Sequence, residues 1–334
     1  MSWRVLVTAR AFWANGSAAT DLLVSAGCEV VHSAVAGPVP ESDLIAQLSD
    51  RDAVIASSDP YTERVFTECP RLKLVSRCGV GIDSVDLKAA TEAGVVATNT
   101  PGAMTEAVAD YTFGLLLSLA RRIVEGDALM HSGGWGEFPG TLTYGKVIGL
   151  VGAGMIGQGV ARRAAGFGMH VLAFDPPLKA AVDAGGAPDL PSMRFVPLDE
   201  VLARSDFVCV HAPNLPETRG MFNAARFAQM KRSAYLINTA RGALINETDL
   251  IAALEAGEIA GAAIDVFQQE PLPAVHPLRK APRCLLTPHN AFNTVESAEV
   301  MSRMSAENVL EAMQGRRPPG LCNPEVWDSS VRRR

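Results

Sequence analysis

The run Val147-Ile-Gly-Leu-Val-Gly152-Ala-Gly154-Met155-Ile156-Gly157 constrains this chain more than any other stretch. An apolar strand enters a turn with glycines in G-x-G-x-x-G spacing, and small residues suited to a packed helix follow at Ala161, Ala164 and Ala165. In such a turn the first glycine permits a tight bend, the second lets backbone amides approach a pyrophosphate, and the third lets the helix pack close to the strand. The helix that opens there presents unpaired N–H groups and the positive end of its dipole to an anion. A second strand, His170-Val-Leu-Ala-Phe, then ends in Asp175. A carboxylate at that place can accept hydrogen bonds from both hydroxyls of an adenosine ribose and repels a 2′-phosphate. The unit therefore predicts a dinucleotide site that prefers NAD to NADP. Glycines alone also serve ordinary turns; the strand, helix and terminal acid around them make the reading specific.

The rest of the chain keeps the same rhythm. Strand-like runs at 4–8, 29–32, 53–56, 72–77 and 95–98 alternate with helical patterns near 17–26, 41–49, 62–69 and 85–93. A second series of strands is expected at 147–151, 170–174, 207–211, 234–239, 261–266 and 284–288. Such alternation predicts parallel sheets with helices on both faces. A chain of 334 residues exceeds what one core usually serves. We therefore expect an α/β protein of two doubly wound parallel-sheet domains, Rossmann-like or flavodoxin-like, with a cleft between them. Thr105 to Glu125, with Thr105 as its cap and the run Phe113-Gly-Leu-Leu-Leu-Ser-Leu119, reads as one long helix. Being apolar on several faces, it must be covered between the domains or at a subunit interface. Val295 to Gln314 reads as a last long helix closed by Gly315.

Composition narrows the function classes. A net charge of −6, with no basic run apart from Arg332 to Arg334, disfavours nucleic acid as a partner. The six cysteines lack metal-ligand or disulfide spacing, so reduced thiols and no metal site are expected. No apolar stretch reaches the ~18 residues of a membrane span, and the start of the chain lacks a signal-peptide pattern. A cytoplasmic protein without membrane partners is the expectation.

Ligands of a doubly wound sheet bind beyond the carboxyl ends of its strands, and three unusual clusters fall there. Tyr235-Leu-Ile-Asn-Thr-Ala-Arg241-Gly runs from an apolar strand into an arginine, Ala262-Ala-Ile-Asp265 leads to Glu270-Pro271, and Leu285-Leu-Thr-Pro-His289-Asn290 ends on a histidine. An arginine can clamp a carboxylate with two parallel bonds, a histidine can exchange a proton near neutral pH, and a glutamate can orient that histidine. Together they suit hydride transfer to a 2-oxo acid.

With these stretches the chain resembles the D-isomer-specific 2-hydroxyacid dehydrogenases, and among them the phosphoglycerate dehydrogenase-like branch without a regulatory domain. The resemblance spans nearly the whole sequence. It rests on Ser76-Arg-Cys-Gly-Val-Gly-Ile-Asp83, Asn99-Thr-Pro-Gly102 with Glu106-Ala-Val-Ala-Asp110, the glycine turn with Asp175, Asn238-Thr-Ala-Arg241-Gly242, Asp265-Val-Phe with Glu270-Pro271, Thr287-Pro-His289-Asn290 and Asn323-Pro-Glu-Val-Trp327. It implies an NAD-dependent oxidoreductase that moves a hydride between the nicotinamide and C2 of a small D-2-hydroxy acid or 2-oxo acid, glyoxylate- or hydroxypyruvate-like or 3-phosphoglycerate-like. By the same resemblance Arg241, Glu270 and His289 form the catalytic trio, and Arg77, Val80 and Gly81 join Arg241 at the substrate carboxylate. Cofactor-binding positions are Gly152, Gly154, Met155, Ile156, Gly157 and Asp175, with Thr105, His211, Ala212, Pro213, Thr239, Ala240, Asp265 and Asn290. The implied substrate domain combines 1–101 with 291–334, and the NAD-binding domain covers 102–290, including a dimerisation helix at 105–125 of a homodimer.

The chain departs from that pattern in two places. Phosphoglycerate enzymes commonly carry an arginine in the loop after the third strand, where this chain reads Ile55-Ala-Ser-Ser-Asp59, supplying an acid where a phosphate would need cations. Met155 stands where an arginine is usual, leaving backbone donors and the helix end for the pyrophosphate. His32, His131, His170 and His276 read as structural or exposed, His211 as a pocket wall, and Trp135 and Trp327 as packing aromatics. The alternatives are an NAD-binding corepressor-like regulator, or a formate or phosphite dehydrogenase of the same architecture.

Overall fold

A computed structural model describes residues 2–185 and 193–333. The chain divides into two compact units, Met1–Met104 with Asn293–Arg334, and Thr105–Phe292. In the first, β1 (Arg4–Val7), β2 (Glu29–His32), β3 (Ala53–Ala56), β4 (Leu74–Arg77) and β5 (Val96–Thr98) form an all-parallel sheet in the order β2-β1-β3-β4-β5. This is the flavodoxin-like order. The central strand β3 is buried throughout, as expected where helices cover both faces of a parallel sheet, whereas the edge strand β2 is not.

The second unit has seven parallel strands: β6 (Val147–Val151), β7 (His170–Phe174), β8 (Met193–Phe195), β9 (Phe207–Val210), β10 (Tyr235–Asn238), β11 (Gly261–Ile264) and β12 (Cys284–Leu286). Their order is β12-β11-β10-β9-β6-β7-β8. The chain winds outward one way through β7 and β8, then the other way from β9, so the switch point lies between β6 and β9, and the glycine turn leaves β6 there. Alternate side chains serve opposite faces: Ile148, Leu150, Phe207 and Cys209 join one core layer, while Val151, Val208 and Val210 join the other. β8 was not foreseen, being only three residues long with an arginine in the middle.

The long apolar helix is shorter than expected. It runs Thr105–Arg121 and stops because Arg122 takes a left-handed backbone (φ 53°); a separate helix, Ile123–His131, follows. Thr105 is its first helical residue rather than a preceding cap. Most of its apolar face is covered by its own unit, since Ala109, Phe113, Leu116 and Ala120 pack in one layer with Val160, Ala161 and Ala164 of helix Met155–Gly166. Arg163 ties the two helices together through Asp110 at 2.7 Å and Glu106 at 2.8 Å. The apolar surface left over lies further on. Nothing in Ile123–His131 is buried, and Ile123, Val124, Met130, Trp135, Leu142 and Tyr144 are all exposed, so Trp135 does not pack within its own chain.

The C-terminal segment returns to the first unit. Ser76 Oγ donates to Ser305 O at 3.0 Å, and Asn323 accepts from Ala97 N–H at 2.9 Å. Arg333 donates to the carbonyls of Phe66, Cys69 and Leu72, closing the end of helix Glu63–Glu68, and Arg332 stacks on Trp327. These two C-terminal arginines are thus fixed to the chain's own surface. All six cysteines are free thiols. Among the described residues no helix is long and apolar enough to cross a membrane.

Candidate active site

The glycine turn is built as steric necessity requires. Gly152 has φ +96°, and a Cβ there would lie 2.6 Å from the His211 and Ala212 backbone. At Gly157 a Cβ would meet Gly152 O at 2.4 Å, whereas at Gly154 it would meet nothing within 4 Å. Thus two glycines permit close packing, and the middle one leaves open space in front of the helix end, the cradle that a pyrophosphate needs. Met155 is exposed and Ile156 half-buried at the first turn of helix Met155–Gly166. Asp175 closes β7, with Oδ2 accepting from Ala153 N–H (2.8 Å) and Oδ1 from Leu178 N–H (2.9 Å). Each carboxylate oxygen can accept about two bonds, so both retain capacity for ribose hydroxyls. The residues present therefore fit a dinucleotide.

Opposite the turn, His211 has Nε2 buried without a protein partner. Burial pushes its imidazole down to about 4, so it is neutral at pH 7 and adds no charge beside the glycine turn. Ala212 is buried and Pro213 exposed. Thr239 is buried, its hydroxyl 3.1 Å from that of Thr112, and Ala240 N–H is held by Asn238 Oδ1 at 3.0 Å.

Three strand ends of the same sheet carry the polar trio. After β10, Asn238 Nδ2 donates to Arg241 O at 3.0 Å, and Arg241 Nη1 donates to Ala240 O at 2.7 Å. The next residue cannot bear a side chain: a Cβ on Gly242 would lie 1.9 Å from the Phe267 carbonyl carbon. That close approach brings the Arg241 segment against the segment leading to Glu270. Glu270 accepts from Phe267 N–H through Oε1 (2.9 Å) and meets His289 Nδ1 through Oε2 at 2.6 Å. Burial alone would raise this carboxyl, but the bonds from His289 and Phe267 and the charges of His289 and Arg241 outweigh it and hold it below the usual range.

His289 sits in a left-handed backbone (φ 50°), which is uncommon outside glycine and costs of order 1 kcal/mol or more. Asp265 over-determines that turn. Fully buried at the end of β11, it accepts from Thr287 Oγ1 (2.6 Å), Asn290 N–H (2.9 Å) and Ala291 N–H (3.0 Å), while its own carbonyl takes His289 N–H at 2.7 Å. Burial raises its carboxyl despite those donors. Asp265, read among the cofactor positions, is thus first the brace of the His289 turn.

In the first unit, Arg77 ends β4 and donates to Cys78 O, and Asn99 Nδ2 holds Val80 O at 2.8 Å, so the 77–81 loop is pinned by the Asn99-Thr-Pro stretch. The loop after β3 corrects the sequence reading. Asp59 is wholly buried and accepts from Thr8 Oγ1, Val39 N–H (2.7 Å), Ser57 N–H (3.1 Å) and Tyr61 Oη (3.2 Å). Its charge points into its own unit, and burial, with that charge second, raises the Tyr61 phenol. It offers no acid to a ligand.

A glycine turn at a switch point, an acid closing the next strand, and an arginine beside a glutamate–histidine pair define an α/β dinucleotide-dependent oxidoreductase. Comparison with known proteins agrees. The family model for the D-isomer specific 2-hydroxyacid dehydrogenase, NAD binding domain, matches residues 113–291. A glyoxylate reductase from Thermofilum pendens is 40% identical over 304 residues, covering 89% of this chain and 88% of that protein. The solved structure of the TT0316 protein from Thermus thermophilus superposes with a TM-score of 0.85 at 38% identity, over 96% of this chain and 99% of that one. The NAD-dependent formate dehydrogenase from Staphylococcus aureus, solved with NAD, gives 0.80 at 31% identity over 94% and 96%. The chain belongs to the D-isomer-specific 2-hydroxyacid dehydrogenase family and is an NAD-dependent oxidoreductase of it.

Proposed function

We propose that this enzyme reduces a small unphosphorylated 2-oxo acid, glyoxylate- or hydroxypyruvate-like, to its D-2-hydroxy acid with NADH. The observation that carries the reading is the 2.6 Å pair of His289 Nδ1 and Glu270 Oε2 on a turn fixed by Asp265. With Nδ1 facing an ionised carboxylate, that nitrogen keeps its proton, and Nε2 is the atom left to give a proton to the C2 oxygen or take it back. Arg241 clamps the carboxylate and polarises the C2 carbonyl, so developing negative charge is met by two preorganised cations. The amides of Val80 and Gly81, with Arg77, are proposed as further carboxylate donors. The glycine turn, Asp175 and the residues read with them hold the cofactor, whose nicotinamide supplies the hydride when bound.

The loop Ile55-Ala-Ser-Ser-Asp59 contains no arginine or lysine, and this lack of a cation, rather than the buried Asp59, is what disfavours a phosphoryl group. A panel of glyoxylate, hydroxypyruvate, 3-phosphohydroxypyruvate and formate, read by nicotinamide absorbance, tests the reading. The unphosphorylated 2-oxo acids are expected to have the highest kcat/KM; a better phosphorylated substrate would direct attention to Arg10 and Arg77, the cations that follow β1 and end β4. NADH is expected to be preferred, and Asp175→Ala to relax that preference by removing both the hydrogen bonds and the repulsion. Equal kcat/KM with NADPH in the wild type would rule out Asp175 as the selector.

The exposed apolar surface from Ile123 to Tyr144 supports a homodimer in which a second copy covers it. A monomer by light scattering at micromolar concentration would refute that assembly.

A further inference from the structure

A second histidine–glutamate pair lies in the same unit, and the family reading gives it no role. Glu247 opens helix Glu247–Ala256, yet its carboxylate is turned inward and buried. Oε2 lies 3.3 Å from His276 Nε2, while His276 Nδ1 accepts from Leu278 N–H, also at 3.3 Å. Because Nδ1 is an acceptor, the ring proton sits on Nε2 and points at Glu247. The other oxygen, Oε1, accepts from Gln268 N–H at 2.8 Å, and the Gln268 side chain donates back to Ile245 O at 2.6 Å.

The backbone held this way is the one that bears on the acid–base pair. Gln268 follows Phe267, whose N–H is bonded to Glu270 Oε1, and Gly242 presses on the same peptide from the Arg241 side. A buried carboxylate is costly unless fully hydrogen-bonded, and here it spans two segments that, among the described residues, share no strand pairing. Helix capping does not explain it, since Asn246 already caps that helix through Thr248 and Asp249.

We propose that Glu247 is a positioning residue: braced by His276, its carboxylate fixes the Phe267–Gln268 peptide and thereby holds Glu270 against His289. The inference rests on the reading of Glu270 and His289 as the acid–base pair. Arg241 and Asp265 also face that pair, and His276 faces Glu247.

The test uses the intact enzyme with glyoxylate and NADH. Glu247→Ala is expected to lower kcat roughly tenfold, since small misplacements of reacting groups cost that much or more. The KM for NADH is expected to stay within about twofold, because uniform binding is untouched. Glu270→Gln serves as the reference, moving the high-pH limb of kcat/KM to lower pH. Glu247→Ala should move it the same way, and the double variant no further. Glu247→Gln, which keeps an acceptor for Gln268 N–H, should restore the limb. Glu247→Met keeps the buried volume without an acceptor; it should behave as Ala does and stands in for it if Ala fails to fold. An unmoved limb in a folded Glu247→Met, alongside a shifted limb in Glu270→Gln, overturns the proposal alone. An unmoved limb in Glu270→Gln overturns the acid–base reading, and the proposal with it.

Discussion

The two histidine–glutamate pairs of the larger sheet place the same functional groups in opposite surroundings. Glu270 and His289 are 35% and 42% exposed, 2.6 Å apart, on a turn in a strained left-handed backbone. Glu247 and His276 are 10% and 24% exposed, 3.3 Å apart, with their remaining polar atoms bonded to backbone. The first pair leaves one imidazole nitrogen open to a ligand. In the second, Nδ1 is occupied by a peptide N–H and Nε2 by the acid. On the proposed reading the first pair does chemistry and the second is scaffold, according to which atoms the surrounding chain already occupies.

The largest expected contrast comes from the histidines themselves. His289→Ala should lower kcat by roughly 10²–10⁴-fold while NADH binding stays nearly intact, because proton transfer is lost and nucleotide contacts are not. Steady-state kinetics with a cofactor titration checks this, and near wild-type turnover would remove His289 from the mechanism. Gly242→Ala is next. Its Cβ would overlap the Phe267 peptide, so the Arg241 and Glu270 segments must part, with a stability loss of about 1–3 kcal/mol and reduced kcat. An unchanged melting midpoint would show that the two segments do not depend on that contact.

Glu270→Gln sharpens the contrast through pH. Glu270 is held below the usual carboxylate range and is therefore ionised wherever an imidazole titrates. Removing its charge makes the proton on the donor easier to lose, so the high-pH limb of kcat/KM should move to lower pH. Stability carries the opposite sign of pH dependence. A carboxyl whose folded value is depressed stabilises above its unfolded value of about 4.3 and loses that contribution as pH falls through the folded value. The melting difference between wild type and Glu270→Gln should accordingly close in acid. His276→Ala is the smallest effect expected, roughly 1 kcal/mol in a denaturant melt for a lost hydrogen bond, with kcat changed only a few-fold. A loss of kcat as deep as that of His289→Ala would erase the distinction between the pairs.

Much of the fold is legible in the order of the residues. Every strand except the three-residue β8, together with the glycine turn with Asp175 and the residues Arg241, Glu270 and His289, carries a local signal: apolar period, glycine spacing, or polar residues directly after apolar strands. The long helix was overextended because Arg122, an ordinary helix former, gives no sign of the left-handed backbone it adopts. The inward turn of Asp59 is not legible locally, because Thr8 and Val39 reach it from distant stretches of chain. Glu247 escaped notice because Asn-Glu at a helix start looks like ordinary capping, and its partners at 268 and 276 lie far along the chain.

By itself, then, the sequence determined the alternation that makes two parallel sheets, the turn that admits a dinucleotide, and which side chains stand at the strand ends. These follow from sterics and periodicity within a few residues. Only the tertiary structure decided which carboxylates are taken up by backbone and hydroxyl donors and which keep an oxygen for a histidine. Asp59, Asp265 and Glu247 are turned inward onto peptide N–H groups and hydroxyls, several of them brought from distant stretches of chain, while Glu270 keeps one oxygen for a histidine. The reason is physical: a carboxylate has few acceptor sites, and the donors that reach it first are set by packing, not by its neighbours in sequence.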